Sequence, residues 1–234
     1  MSLSNKKLLV SGCGFSWSGQ KKITWPKLLY VTGTKITDVG GPAVSNQWVI
    51  NRIVEELYKN SDYDIVILQL TSTGKLDVDI NRPDQLSELV EKDSIRNFVY
   101  NNVWPSSHSK DHESKQLYYQ WLESPRLEIQ DLWCKLIMLN NYCKQLGCEL
   151  FVTQGYNINW TTDQKQSLST IIDNIDNSLY NQYKNSKFYQ THDYENQNLV
   201  PCTQYQVELA KQIAYKFQLH GVNKLELMSQ NYDI

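Results

Sequence analysis

The chain has 234 residues, with 23 basic and 25 acidic side chains, a formal net charge of −2 and 41% apolar residues. That length supports one sizeable core, and no shift in composition marks a linker, so a single domain over 1–234 is expected. Near-neutral charge builds no field for nucleic acid or an anionic membrane; neither is expected as a partner, and small neutral or mixed ligands fit better.

The opening MSLSNKK holds no apolar stretch long enough for a signal peptide, and no segment approaches a spanning helix, so a cytoplasmic location is expected. The five cysteines, at 13, 134, 143, 148 and 202, are odd in number and lack metal-type spacing, which fits a reduced protein; Cys143 and Cys148 lie across a helix end and a strand start.

In chain order, Leu8, Leu9 and Val10 read as a buried strand that stops at Gly12-Cys13-Gly14 and resumes with Phe15, Ser16 and Trp17. Thr24 is placed to cap a helix beginning Trp25-Pro26-Lys27, with proline in the first turn where its missing donor costs nothing. Thr34–Val39 is a second strand, broken by Gly40-Gly41-Pro42. Ser45 then caps a helix over Asn46–Tyr58, whose Val49, Ile50, Ile53, Val54 and Leu57 recur at helical spacing. Asp64–Leu70 is a buried strand ending in Thr71-Ser72-Thr73-Gly74. This alternation predicts a three-layer α/β/α sandwich with a mostly parallel central sheet, flavodoxin-like in plan.

The second half repeats the scheme more loosely. Pro125 starts a long amphipathic helix through Leu127, Leu132, Leu136, Ile137, Leu139 and Tyr142, stopped by Gly147, and Glu149–Thr153 follows as a strand. Lys165–Tyr180 reads as helix and Lys187–Gln190 as a short edge strand. Thr203 caps a final helix carrying Val207, Leu209, Ala210, Ile213, Ala214 and Phe217 inward. Residues 77–124 do not fit the alternation. They contain a short helical stretch near Asp84–Glu91, His108 and His112, and the aromatics Phe98, Tyr100, Trp104, Tyr118, Tyr119 and Trp121. Leaving the carboxyl end of the third strand, this insertion would form a lid or side wall, or a satellite core of its own.

Three loops that follow strands resemble the blocks of the SGNH/GDSL hydrolase superfamily, in particular its small phage and marine-bacterial members. Gly12-Cys13-Gly14-Phe15-Ser16-Trp17 is similar to G-C-S-F-T-W; Asp38-Val39-Gly40-Gly41-Pro42-Ala43-Val44-Ser45-Asn46 is similar to N-x-G-x-P-G-x-S-N. Leu70-Thr71-Ser72-Thr73-Gly74-Lys75-Leu76-Asp77 resembles a strand end followed by W-T-x-x-x-R-x-D. The resemblance covers the first third of the chain and implies an SGNH-type α/β/α fold and acyl transfer. In that chemistry a first-block serine attacks a carbonyl, a histidine takes its proton, and backbone donors with an asparagine hold the oxyanion.

Carried over residue by residue, the pattern places Gly14 at the nucleophile position, Thr73 near the asparagine position and Val200 where the histidine would stand. A two-residue shift makes Ser16 the nucleophile, with His192, beside Asp193, as base; adjacent residues on an extended chain point apart, so Asp193 is poorly placed to orient it. The pocket then comprises Gly14, Gly40, Ala43, Thr71 and Thr73. Cys13 is an alternative nucleophile or plain packing. His108 and His112 have one-face spacing for a metal but sit in a loop-like context without further strong ligands, so no metal and no cofactor are expected. Two functions stay open: an esterase acting on acyl esters of carbohydrates, or a catalytically inactive SGNH-fold protein binding a glycan or serving as a structural module. A nucleotide-binding module lacks the G-x-G-x-x-G cradle.

Overall fold

The structure is a computed structural model and describes residues 6–12, 24–41, 45–71, 73, 125–176, 203–219 and 221–230. Four strands form one all-parallel sheet: β1 (Lys7–Ser11), β2 (Lys35–Asp38), β3 (Ile65–Leu70) and β4 (Glu149–Gln154), in the order β2-β1-β3-β4. Leu8 lies opposite Ile36 on one side and Ile65 on the other, and Ile65 opposite Glu149. All six residues of β3 are buried, which follows from its run of apolar residues lying inside the sheet and covered on both faces.

The alternation of side chains along the strands sorts the core into two layers. Leu9, Val66, Leu68, Leu70 and Val152 face α2 (Asn46–Lys59), α3 (Pro125–Leu146) and α4 (Thr162–Leu168). Leu8, Val10, Ile65, Ile67 and Phe151 face α1 (Trp25–Leu29), α5 (Thr203–Lys216) and α6 (Val222–Gln230). The result is the expected three-layer α/β/α sandwich.

Ser45 caps α2 as its sequence position indicates, its Oγ accepting from Trp48 N at 3.0 Å. Gly147, at φ 76°, ends α3 in the left-handed conformation that a side chain resists.

Several expectations change. Thr24 occupies the N-cap of α1, but its side chain makes no capping bond. Val54 is exposed at the margin of the apolar stripe of α2, and Leu127 is exposed on the face of α3 away from Leu132, Leu136 and Leu139. The helix expected at Lys165–Tyr180 is α4, which starts earlier at Thr162 under a Thr161–Gln164 capping box and ends at Leu168. Turns follow it, and Ile172 bridges Val152 in parallel along the outer edge of β4. Phe217 lies just beyond α5, and α6 follows as a further helix. The stretches 77–124, including Asp84–Glu91, and Lys187–Gln190 lie outside the described residues. Among the described residues no helix is long and apolar enough to cross a membrane.

Candidate functional site at the carboxyl edge

In the order β2-β1-β3-β4 the chain winds outward from β1 in one direction and from β3 in the other, so the two central strands flank a topological switch point. Sheets of this kind open a crevice at the carboxyl ends of those strands. Gly12, Gly40 and Thr71 stand at the ends of β1, β2 and β3.

Beyond the regular ladder the chain after β2 stays against β1: Val39 N donates to Val10 O at 2.9 Å and Gly41 N to Gly12 O at 3.1 Å. Gly40 sits in this close approach. A Cβ there would lie 2.8 Å from Gly12 O and 3.1 Å from Gly12 N, both backbone atoms, so the position admits only glycine without movement. The Gly40 N–H is itself engaged: it donates to its own chain's Asp38 Oδ1 at 2.9 Å, a local side-chain turn. The Asp38 carboxylate also faces Tyr30, whose phenol is pushed up from its ordinary range by burial first and by Asp38 second. An oxyanion at Gly40 would therefore compete with a carboxylate for the same donor.

Thr71 is held from α2. Asn46 Oδ1 accepts from Thr71 N at 2.8 Å and Asn46 Nδ2 donates to Thr71 O at 3.1 Å, so one buried side-chain amide replaces the ladder bonds lost where β3 stops. Ser45 fixes the first turn of α2 and so sets the position of Asn46. Thr73, two residues on, is half-buried.

On the α1/α5 face a second buried amide, Gln69, accepts from Trp25 Nε1 at 3.1 Å, and Trp25 N donates to Gln206 Oε1 at 2.7 Å. Ser11 Oγ, Thr24 Oγ1, Gln69 Nε2 and Thr71 Oγ1 are buried without a hydrogen-bond partner among the described residues. All four belong to the carboxyl ends of β1 and β3 or to the start of α1, which concentrates unmet polarity at this edge.

The end of β4 is closed by a satisfied network. Gln154 Nε2 donates to Asn174 O and Ile175 O, both at 3.0 Å, its Oε1 accepts from Trp160 Nε1 at 2.7 Å, and Asn174 bonds back to Gln154 N and O at 2.7 and 3.1 Å. Gly155 N continues to Leu70 O at 2.8 Å.

Of the site residues expected from sequence, Gly40, Thr71 and Thr73 are described, and Gly40 and Thr71 stand at the same sheet edge with the end of β1 between them. Ser16, Gly14, Ala43 and His192 lie outside the described residues, as do Cys13, His108, His112, Asp193 and Val200. Sequence reasoning placed Asn46 at the end of the second block without giving its side chain a role, and missed Gln69, Gln154 and Asn174. For Gln69 and Gln154 the signal was present: an amide within IVILQL, or at the buried end of ELFVTQ, needs a polar partner wherever it is buried.

No protein-family model matches the chain. No curated protein matches it either. Among solved structures the chain is similar to that of TesA, with a TM-score of 0.49 and 10% identity over 91% of this chain and 98% of that one. A likeness at that level assigns no residue and no activity.

Proposed function

We propose that the protein is a cytoplasmic, single-domain protein of the SGNH/GDSL hydrolase type whose crevice, bordered by Gly40, Thr71 and Thr73, binds a small acylated carbohydrate ligand without hydrolysing it. The observation that carries this reading is the Gly40 N–H. In an ester hydrolase of this type a second-block backbone donor holds the oxyanion, and here that donor is taken by the Asp38 carboxylate. The substitutions at the other blocks, Gly14 for the nucleophile and Val200 for the histidine, agree with it. The border residues Gly40, Thr71 and Thr73 carry no charge of their own, and the nearby Asp38 carboxylate is engaged by Gly40 N, which suits an uncharged sugar; nucleic acid, membrane, metal and cofactor have no part in this reading.

A second reading is hydrolysis by Ser16 with His192 as base. It is favoured by the sheet order, since β1, which Ser16 follows in sequence, ends at the switch point. Turnover of p-nitrophenyl acetate, measured for the wild type and Ser16→Ala, separates the two. No turnover and no labelling by a fluorophosphonate probe is the expected result. Turnover lost in Ser16→Ala overturns the binding-only reading.

A further inference from the structure

The joint between α3 and β4 is a Schellman turn. Gly147 N donates to Lys144 O at 3.2 Å and Cys148 N to Cys143 O at 3.0 Å, the paired bonds of that motif. The motif brings the side chains at its two ends together, and here both are thiols, with Cys148 Sγ donating to Cys143 O at 3.4 Å. Both are free. Cys143 is fully buried in the α2/α3 layer. Cys148, 5% exposed, lines an open cleft of about 480 Å³ with Lys144, Glu149 and Thr170. One thiol thus borders a space large enough for a small reagent, and its partner lies directly behind it.

We propose that Cys143 and Cys148 form a redox modification site, in which Cys148 is attacked from the cleft by exchange with a small-molecule disulfide and Cys143 resolves the adduct into an intramolecular disulfide across the Schellman turn. The Cys148 thiolate displaces one thiol from the reagent, forming a mixed disulfide at Cys148. The Cys143 thiolate then attacks Cys148 Sγ and expels the second thiol. The protein loses two hydrogens, which appear on the two released small thiols, so the reagent is reduced as the pair is oxidised.

The order of attack follows from the surroundings. Burial raises both thiols; at Cys148 its effect is partly offset by hydrogen bonds from Cys143 and from its own backbone, whereas at Cys143 nothing offsets it. The backbone bond already joins the two residues, so closure asks for side-chain rotation within a fixed turn. Burial makes the reaction slow near neutral pH and faster as pH rises. Cys134, exposed on α3, has no thiol beside it among the described residues and would stop at a single adduct.

The test is 2-hydroxyethyl disulfide added to the folded wild-type chain at pH 8.5, followed by iodoacetamide and tryptic peptide mapping. Cleavage after Lys135, Lys144 and Lys165 puts Cys143 in 136–144 and Cys148 in 145–165, so the disulfide links two separate peptides. The expected result is that linked pair, absent from Cys143→Ala and Cys148→Ala, with a mercaptoethanol adduct persisting at Cys148 in Cys143→Ala. As a measurement free of substitutions, phenylarsine oxide should protect both cysteines of the wild type from alkylation. Recovery of both peptides singly alkylated after either reagent, or linkage only in denaturant, overturns the proposal.

Discussion

Asn46, at the first position of α2, holds the backbone of Thr71 through both its donor and its acceptor, so the end of β3 is terminated by a helix rather than by another strand. Truncation orphans a buried N–H and a buried C=O together. Asn46→Ala is expected to lower stability by about 2–4 kcal/mol in urea unfolding, with Asn46→Asp recovering only the bond to Thr71 N. Equal stability of Asn46→Ala and the wild type would show that Thr71 finds other partners at no cost.

Gly40 makes the opposite kind of demand, for absence rather than presence. Its added methyl group meets the Gly12 backbone, which cannot swing aside as a side-chain tip can. Gly40→Ala should lose about 1–3 kcal/mol, the range of an overpacked core. Gly33, whose Cβ would meet nothing within 4 Å, offers a comparison in which only the φ of 81° opposes alanine. A Gly40→Ala protein as stable as the wild type would contradict the close approach.

Two cap positions that look alike in sequence should respond differently. Ser45 uses its hydroxyl and Thr24 does not, so Ser45→Ala should cost about 1 kcal/mol. Thr24→Val and Thr71→Val each remove a buried hydroxyl with no partner among the described residues, at constant shape. Both are expected to be neutral or up to about 1 kcal/mol more stable in the same unfolding assay. A clear loss of stability in either valine variant would mean that its hydroxyl is bonded after all.

Alkaline pH should weaken the fold through the thiol pair. Burial raises the pKa of Cys143 and of Cys148, so the folded chain keeps protons that the unfolded chain releases above about pH 8.5. Their contribution is full below that value and declines as pH climbs toward the folded values, by up to about 1.4 kcal/mol per pH unit for each thiol. Urea midpoints measured under reducing conditions from pH 7 to 10 should fall, and Cys143→Ala should flatten the decline. An unchanged slope in that variant would remove the thiols as its cause.

The layers of the fold were legible because β3 reads IVILQL without a charge and α2 repeats its apolar residues at helical spacing; burial on both faces or one face leaves that mark in a sequence. Local chemistry marked Ser45 and Gly147 equally well. The end of α4 was not legible. Apolar residues at Ile171 and Ile172 continue its periodicity, but the structure spends them on the edge of β4, where Val152 N and O pair with Ile171 O and Asp173 N. Long-range pairing overrode local propensity there. The site was legible only as glycines and hydroxyls at strand ends. That Asn46 and Asp38 would already occupy the Thr71 and Gly40 backbones depends on distances between segments, which spacing alone does not encode.

The amides of Asn46, Gln154 and Asn174 fasten the strand ends independently of the loop sequences that continue from them. Anchoring and recognition are thereby assigned to different residues. The root at Thr71 keeps its place through α2 and not through the residues that follow it, so a new ligand group at this edge need not disturb the sheet.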